Sequence, residues 1–195
     1  MDERYLSFSE ETNALDYLEH AARFIREAAS GDNAWKWVII ALHGAIYGFA
    51  ICACKGTDYY TVTKKTKRGR RLIPFSDALK ACQDPRRMRM TVRSKALVLS
   101  VGQKAAINKL QEPLRNRFEH YTPGGWHIEI HGMPIIAIHC LGVLRFLALE
   151  TGNYTMLTGD QYARVETLIS ESIVFLRAMP LHEEYLRASG STSES

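Results

Sequence analysis

The chain is poor in the patterns that hold metals. Its four cysteines stand at 52, 54, 82 and 140. None falls in a CxxC pair, and there is no HExxH run and no acidic calcium-type loop. His127, His131, His139 and Cys140 are therefore expected to pack or hydrogen-bond, and neither metal nor other cofactor is implied. A disulfide framework is excluded at this length and cysteine number, which leaves buried free thiols. No secretory signal precedes the first helical pattern, so the expected location is the cytoplasm. Repeats of domain scale are absent.

Acidic residues are scarce in the middle of the chain. From Gly56 to His120 there are 16 lysines and arginines against 5 aspartates and glutamates, a balance of +11. The formal net charge is +4, so the remainder carries −7. Concentrated positive charge attracts polyanions, and nucleic acid is the class of partner it suggests. At 195 residues and 46% hydrophobic content the chain suits one domain with a filled core. That domain is expected over residues 1–188, with a basic insertion at 56–92 and a disordered tail at 189–195.

Charge is also missing from Trp37 to Cys54, where His43 is the most polar residue. Length and flanking tryptophans meet a minimal rule for a membrane anchor. Alanine and glycine fill much of it, however, and no second run supports a membrane. The segment reads instead as the buried helix of a bundle. Gly44 and Gly48 would let another helix approach closely. Before it, apolar residues at 15, 18, 22, 25 and 29 predict a first amphipathic helix, capped by Ser9 and stopped by Gly31.

After Gly56 the helical pattern fails. Tyr59, Tyr60 and Val62, then Leu72 and Ile73, flank the run KKTKRGRR at 64–71. This predicts a basic hairpin or loop between the second and third main helices. Lys64, Lys65, Lys67, Arg68, Arg70 and Arg71 are candidate nucleic-acid-binding residues, with Tyr59 and Tyr60 available to stack on bases. Ser76-Asp77 should cap a short helix through Cys82. A second basic cluster at 85–95 leads to a helix whose capping box is Ser100 and Gln103. Its apolar face follows at 106, 107, 110, 114 and 118, and Pro113 should kink it. The turn-rich TPGGW ends it, and His127 to His131 alternates as an extended segment would. A very apolar helix over Pro134–Leu149 and a last one from the Thr158–Gln161 capping box to Ala178 complete an all-α bundle of four to five main helices.

The stretch LRNRFEHY, Leu114 to Tyr121, closes the third main helix. On an ideal helix Arg115 meets Glu119 and Asn116 meets His120. Arg115 and His120 point about 140° apart, and converge only at a helix end or across two copies of the chain.

Arg-Asn-x-x-x-His resembles the motif of HEPN domains: an arginine, a polar residue and a nearby histidine at a helix end in an α-bundle. The likeness runs from about Gln103 to Pro134, through HYTPGGWHIEIHGMP, and is one of helix order elsewhere. It implies a homodimer whose two motifs face one another as a metal-independent endoribonuclease. Toxins, antiviral effectors and inactive RNA- or nucleotide-binding modules occur in that family. The resemblance thus implies an HEPN-like bundle with Arg115, Asn116 and His120 as catalytic residues. Arg117 would bind flanking phosphate, and an antitoxin or regulatory protein is a further implied partner. Some toxin members carry His-x-Tyr, a target of nucleotidylation. Here Tyr121 directly follows His120, so that control is not implied.

Overall fold

Eighteen uncharged residues need cover, and the fold buries most of them. The computed structural model describes residues 4–120, 124–153 and 156–190. The uncharged run lies within the central helix α2 (Ala34–Lys55), whose buried residues include Val38, Leu42, Ile46, Phe49 and Ala53. Helix α1 (Glu10–Glu27) lies along it. Ser9 caps α1 as expected, with Thr12 returning the bond to the Ser9 N–H at 2.8 Å. A Cβ on Gly48 would come within 2.6 Å of Ala14 Cβ, and one on Gly44 within 2.6 Å of the Tyr17 ring. The two glycines therefore set how closely α1 and α2 approach. The buried stripe of α1 is 14, 18, 21, 22 and 25; Ala29 lies past the helix end and is exposed.

Beyond α2, a 3-10 turn at Tyr59–Val62 leads into an antiparallel hairpin, β1 (Thr63–Thr66) and β2 (Gly69–Leu72). Helix α3 (Phe75–Gln83) packs on α2 and is followed by the short α4 (Pro85–Met88). Phe75, Ala78, Leu79, Cys82 and Met88 are all buried. Much of the expected insertion is thus core, and the hairpin is its projecting part. Ser76-Asp77 does not cap α3. The helix begins one residue earlier behind Pro74, and Asp77 pairs with Lys64 instead.

An irregular strap, 89–99, returns across the end of α2. Lys95 N–H donates to the Thr151 carbonyl at 2.7 Å, and Ser94 Oγ lies 2.6 Å from Asn153 Oδ1. The Asn153 amide in turn donates to the Ala53 carbonyl at 2.8 Å. Gly152 sits at φ +68° against the Arg93 carbonyl, where a side chain has neither the backbone conformation nor the space.

The helix carrying the motif is α5 (Val101–Lys109), a π segment (Leu110–Arg115) and α6 (Asn116–Glu119), in unbroken succession. Its Ser100–Gln103 capping box is present. Helix α7 (Met133–Arg145) continues through a second π segment to Glu150 and packs on α2 and α5. Helix α8 (Gly159–Arg177) lies against α1 and α7 behind its own Thr158–Gln161 box. Pro180 then opens a further helix, α9 (Pro180–Gly190), where the sequence suggested an end. Proline suits a first helical turn, because the N–H it lacks would have no partner there. Ser189 and Gly190 belong to α9 and not to a tail; 191–195 lie outside the described residues.

Helix takes 68% of the structure and strand 4%, which makes the protein all-α. The segment 127–130 makes no strand. Together, α7 and its π segment form a second helix, Met133–Glu150, long and apolar enough to cross a membrane, contrary to the expectation of one such run. Much of both helices is buried against the rest of the chain, as core helices are.

Candidate functional site

Pro113 explains the local shape of the motif. It has no N–H to donate and its ring crowds the carbonyl four residues back. The helix widens into π turns there, and Asn116 N–H reaches the Gln111 carbonyl, five residues back. Leu110 and Leu114 still face the core, and α6 then runs only to Glu119.

The two ends of the motif have different surroundings. Arg115 is held: it pairs with Glu119, as i,i+4 spacing predicted, and Nη1 donates to Asn116 Oδ1 at 3.1 Å. Its Nε is buried with no acceptor among the described residues. His120 is the residue past α6, with φ −131° and ψ 51°. Its N–H donates to the Asn116 carbonyl at 2.8 Å while its side chain is exposed. The Asn116 amide therefore engages Arg115 and not the His120 ring, which corrects the expected side-chain pairing. Within one chain, no recorded interaction joins the Arg115 and His120 side chains. Tyr121 lies outside the described residues.

A second histidine stands beside Arg115. His43, the polar residue of the uncharged run, stacks on Phe75 with ring centroids 4.3 Å apart and planes 21° from parallel. Burial, reinforced by the neighbouring Arg115 guanidinium, brings its pKa down to about 4. The imidazole is thus neutral at pH 7 and a weak base. Its one sequence signal was its isolation in an apolar helix. What it faces is set by α3 and the π segment, which sequence periodicity did not locate.

The same helix face connects to the basic hairpin. Tyr47, one turn after His43, donates its hydroxyl to the Ile73 carbonyl at 2.6 Å, just past β2. In the hairpin, Lys64 lies opposite Arg71 and Lys65 opposite Arg70. Like charges placed directly across a ladder are unfavourable, so the hairpin gathers charge at some cost to its own stability. Two of the six cations are engaged within the fold. Lys64 pairs with Asp77 at 2.6 Å. Arg70 lies 4.3 Å above the Tyr60 ring and donates to Thr63 Oγ1 at 2.7 Å. Lys65, Lys67, Arg68 and Arg71 are exposed. Tyr59 and Tyr60 stack on one another at 4.2 Å and stay about half exposed. Arg117 is exposed, its guanidinium 5.9 Å from the Trp126 ring centroid.

Other histidines serve packing and local pairing. His131 faces Glu184 of α9 at 3.8 Å, and the His139 ring occupies the space a side chain on Gly102 would need. All four thiols are buried and free, and burial pushes Cys140 up to about 12. No group of three or more His, Cys, Asp or Glu side chains that could hold a metal occurs among the described residues. Compared with known proteins, the chain matches no protein-family model, no curated protein and no solved structure.

Proposed function

We propose that the protein is a metal-independent endoribonuclease of HEPN type, active as a homodimer in the cytoplasm, with a toxin or antiviral role. The observation that carries this reading is the end of α6. There a paired arginine and an exposed histidine close one helix. Since they do not converge within one chain, two copies would have to complete the site.

The chemistry uses the nucleophile RNA carries itself. A histidine takes the proton of a 2′-hydroxyl, whose oxygen attacks the adjacent phosphorus. The bond from phosphorus to the 5′-oxygen breaks, and that oxygen takes a proton from a second histidine. The products are a 2′,3′-cyclic phosphate and a 5′-hydroxyl. His120 from each copy supplies the two proton transfers. Arg115 binds the phosphate through its planar donors and stabilises the charge that develops on it. Asn116 orients Arg115, consistent with its observed bond. The exposed hairpin cations and Arg117 hold flanking phosphates.

The test is cleavage of single-stranded RNA in EDTA with identification of the product ends. Cyclic phosphate ends that vanish in His120→Ala support the reading; activity unchanged in that variant overturns it. One observation favours a second reading. The Arg115 guanidinium is already occupied by Glu119 and Asn116. A non-catalytic module that binds RNA, a nucleotide, or an antitoxin or regulatory protein would leave it so. RNA left intact by a verified dimer would support that alternative.

A further inference from the structure

All three tryptophans of the chain line one groove, although Trp126 is distant in sequence from the other two. The groove lies between the start of α2 on one side and Phe118, Trp126, Ile128, Ile130 and Met133 on the other, and holds about 670 Å³. That is room for a nucleotide, not for a duplex. Phe118, two residues before His120, is part of its wall. It meets Trp126 at 5.3 Å between ring centroids with planes 57° apart. The groove therefore opens directly beside the motif.

Its polar groups are few and pointed. Trp35 is 2% exposed and lines the groove, yet its Nε1–H has no acceptor among the described residues. A buried donor left unpaired is costly, and natural folds seldom leave one without a reason. Trp37 rests one side on Phe24, centroids 6.0 Å apart and planes 26° from parallel, and stays 48% exposed. Cations stand over the indoles: Lys36 Nζ is 4.9 Å from the Trp37 centroid and the Arg117 guanidinium 5.9 Å from that of Trp126. Asp32 contributes a carboxylate and Asn33 an amide to the lining. Flat aromatic faces, the polar side chains of Asp32 and Asn33 and two flanking cations match the parts of a nucleotide. The base supplies a π-face, carbonyl acceptors and an amine, and the phosphates supply negative charge.

We propose that this groove receives an unpaired nucleobase of single-stranded RNA, stacked on the Trp37 indole. The proposal rests on the reading of the protein as one that acts on RNA, and names how it selects single strands. A base held here, next to Phe118, presents the adjoining phosphate to the end of α6. Duplex RNA has no free base to offer and is excluded.

The probe is a short 2′-O-methyl oligonucleotide, which has no free 2′-hydroxyl and cannot be cleaved by this chemistry. Because every tryptophan lies in the groove, intrinsic fluorescence reports on it directly. Saturable quenching is expected on titration of the full chain. Trp37→Ala should weaken binding about tenfold, within the range for loss of one stacked base. Binding by anisotropy without quenching, or with unchanged affinity in Trp37→Ala, overturns the proposal. Emission that follows protein concentration and ignores the oligonucleotide would put a second copy in the groove and also overturn it. Cleavage of unmodified RNA, measured in parallel, separates the two readings. Cleavage without quenching sinks the groove alone, and quenching without cleavage sinks the endoribonuclease alone.

Discussion

Arg115 and His120 close the same helix five residues apart, yet one is partly buried and held by partners while the other is exposed to solvent. Arg115 is gripped by Glu119 and Asn116, lies beside His43 and has its Nε buried. His120 makes its fold contacts through its backbone and exposes its ring. A group wired into the fold is pre-oriented, but binding a ligand means giving up partners it already has. A free group costs the fold nothing and gains orientation only from what docks against it. Substitutions at the two ends should therefore differ in kind.

The largest effect is expected at the free end. His120→Ala should lower RNA cleavage roughly 10³-fold, within the range for loss of a proton-transferring group. Thermal unfolding should not change, since no side-chain contact is lost. A lowered melting temperature would show that His120 is structural and would break the contrast. Next comes the held end. Arg115→Ala should lower cleavage about 10²-fold and also cost about 1 kcal/mol of stability, through a lost ion pair and lost packing of the long stem. Urea unfolding beside a cleavage assay separates the two losses.

His43 sharpens the comparison through pH. Its imidazole titrates near 4 in the fold against an ordinary 6.5. The unfolded chain therefore takes up the proton first, and stability falls as pH drops from about 6.5 toward 4. His43→Leu should flatten that slope by on the order of 2 kcal/mol between pH 7 and pH 4. Parallel denaturation curves at the two pH values would check it, and equal slopes would remove His43 from the interior end of the motif. The smallest effect is expected from Glu119→Gln. It releases Arg115 from its pair and should tighten binding of a 2′-O-methyl oligonucleotide several-fold, about 1 kcal/mol. Weaker binding would mean that Glu119 positions Arg115 and does not compete with phosphate.

Helix caps and apolar stripes were readable because they depend on near neighbours. Ser9, Ser100 and Thr158 form local hydrogen bonds that three or four consecutive residues suffice to specify. The Arg115–Glu119 pair was readable for the same reason, since i,i+4 neighbours meet on any helix. Asn116 and His120 failed to pair by side chain because the helix ends between them and Arg115 competes for the amide. The cap proposed at Ser76-Asp77 failed because Lys64, across the hairpin, took Asp77. The last helix was expected to end at Ala178, but proline also starts helices and α9 opens at Pro180. Of the hairpin cations, charge was legible but availability was not. Lys64 and Arg70 are engaged by residues whose positions the chain path alone sets.

Readable in the sequence were an all-α chain with one uncharged helix, a basic hairpin or loop after it and an Arg-Asn-x3-His helix end. Each is a property of residues close in sequence, governed by spacing and propensity. Tertiary structure decided what stands beside them. It set His43 against Phe75 and Arg115, and it brought Trp35, Trp37 and Trp126 to one groove. Those neighbours come from segments up to 91 residues apart (Trp35 to Trp126). Burial and packing bring such segments together only once the helices have found their partners, and no local pattern encodes which side chains then meet.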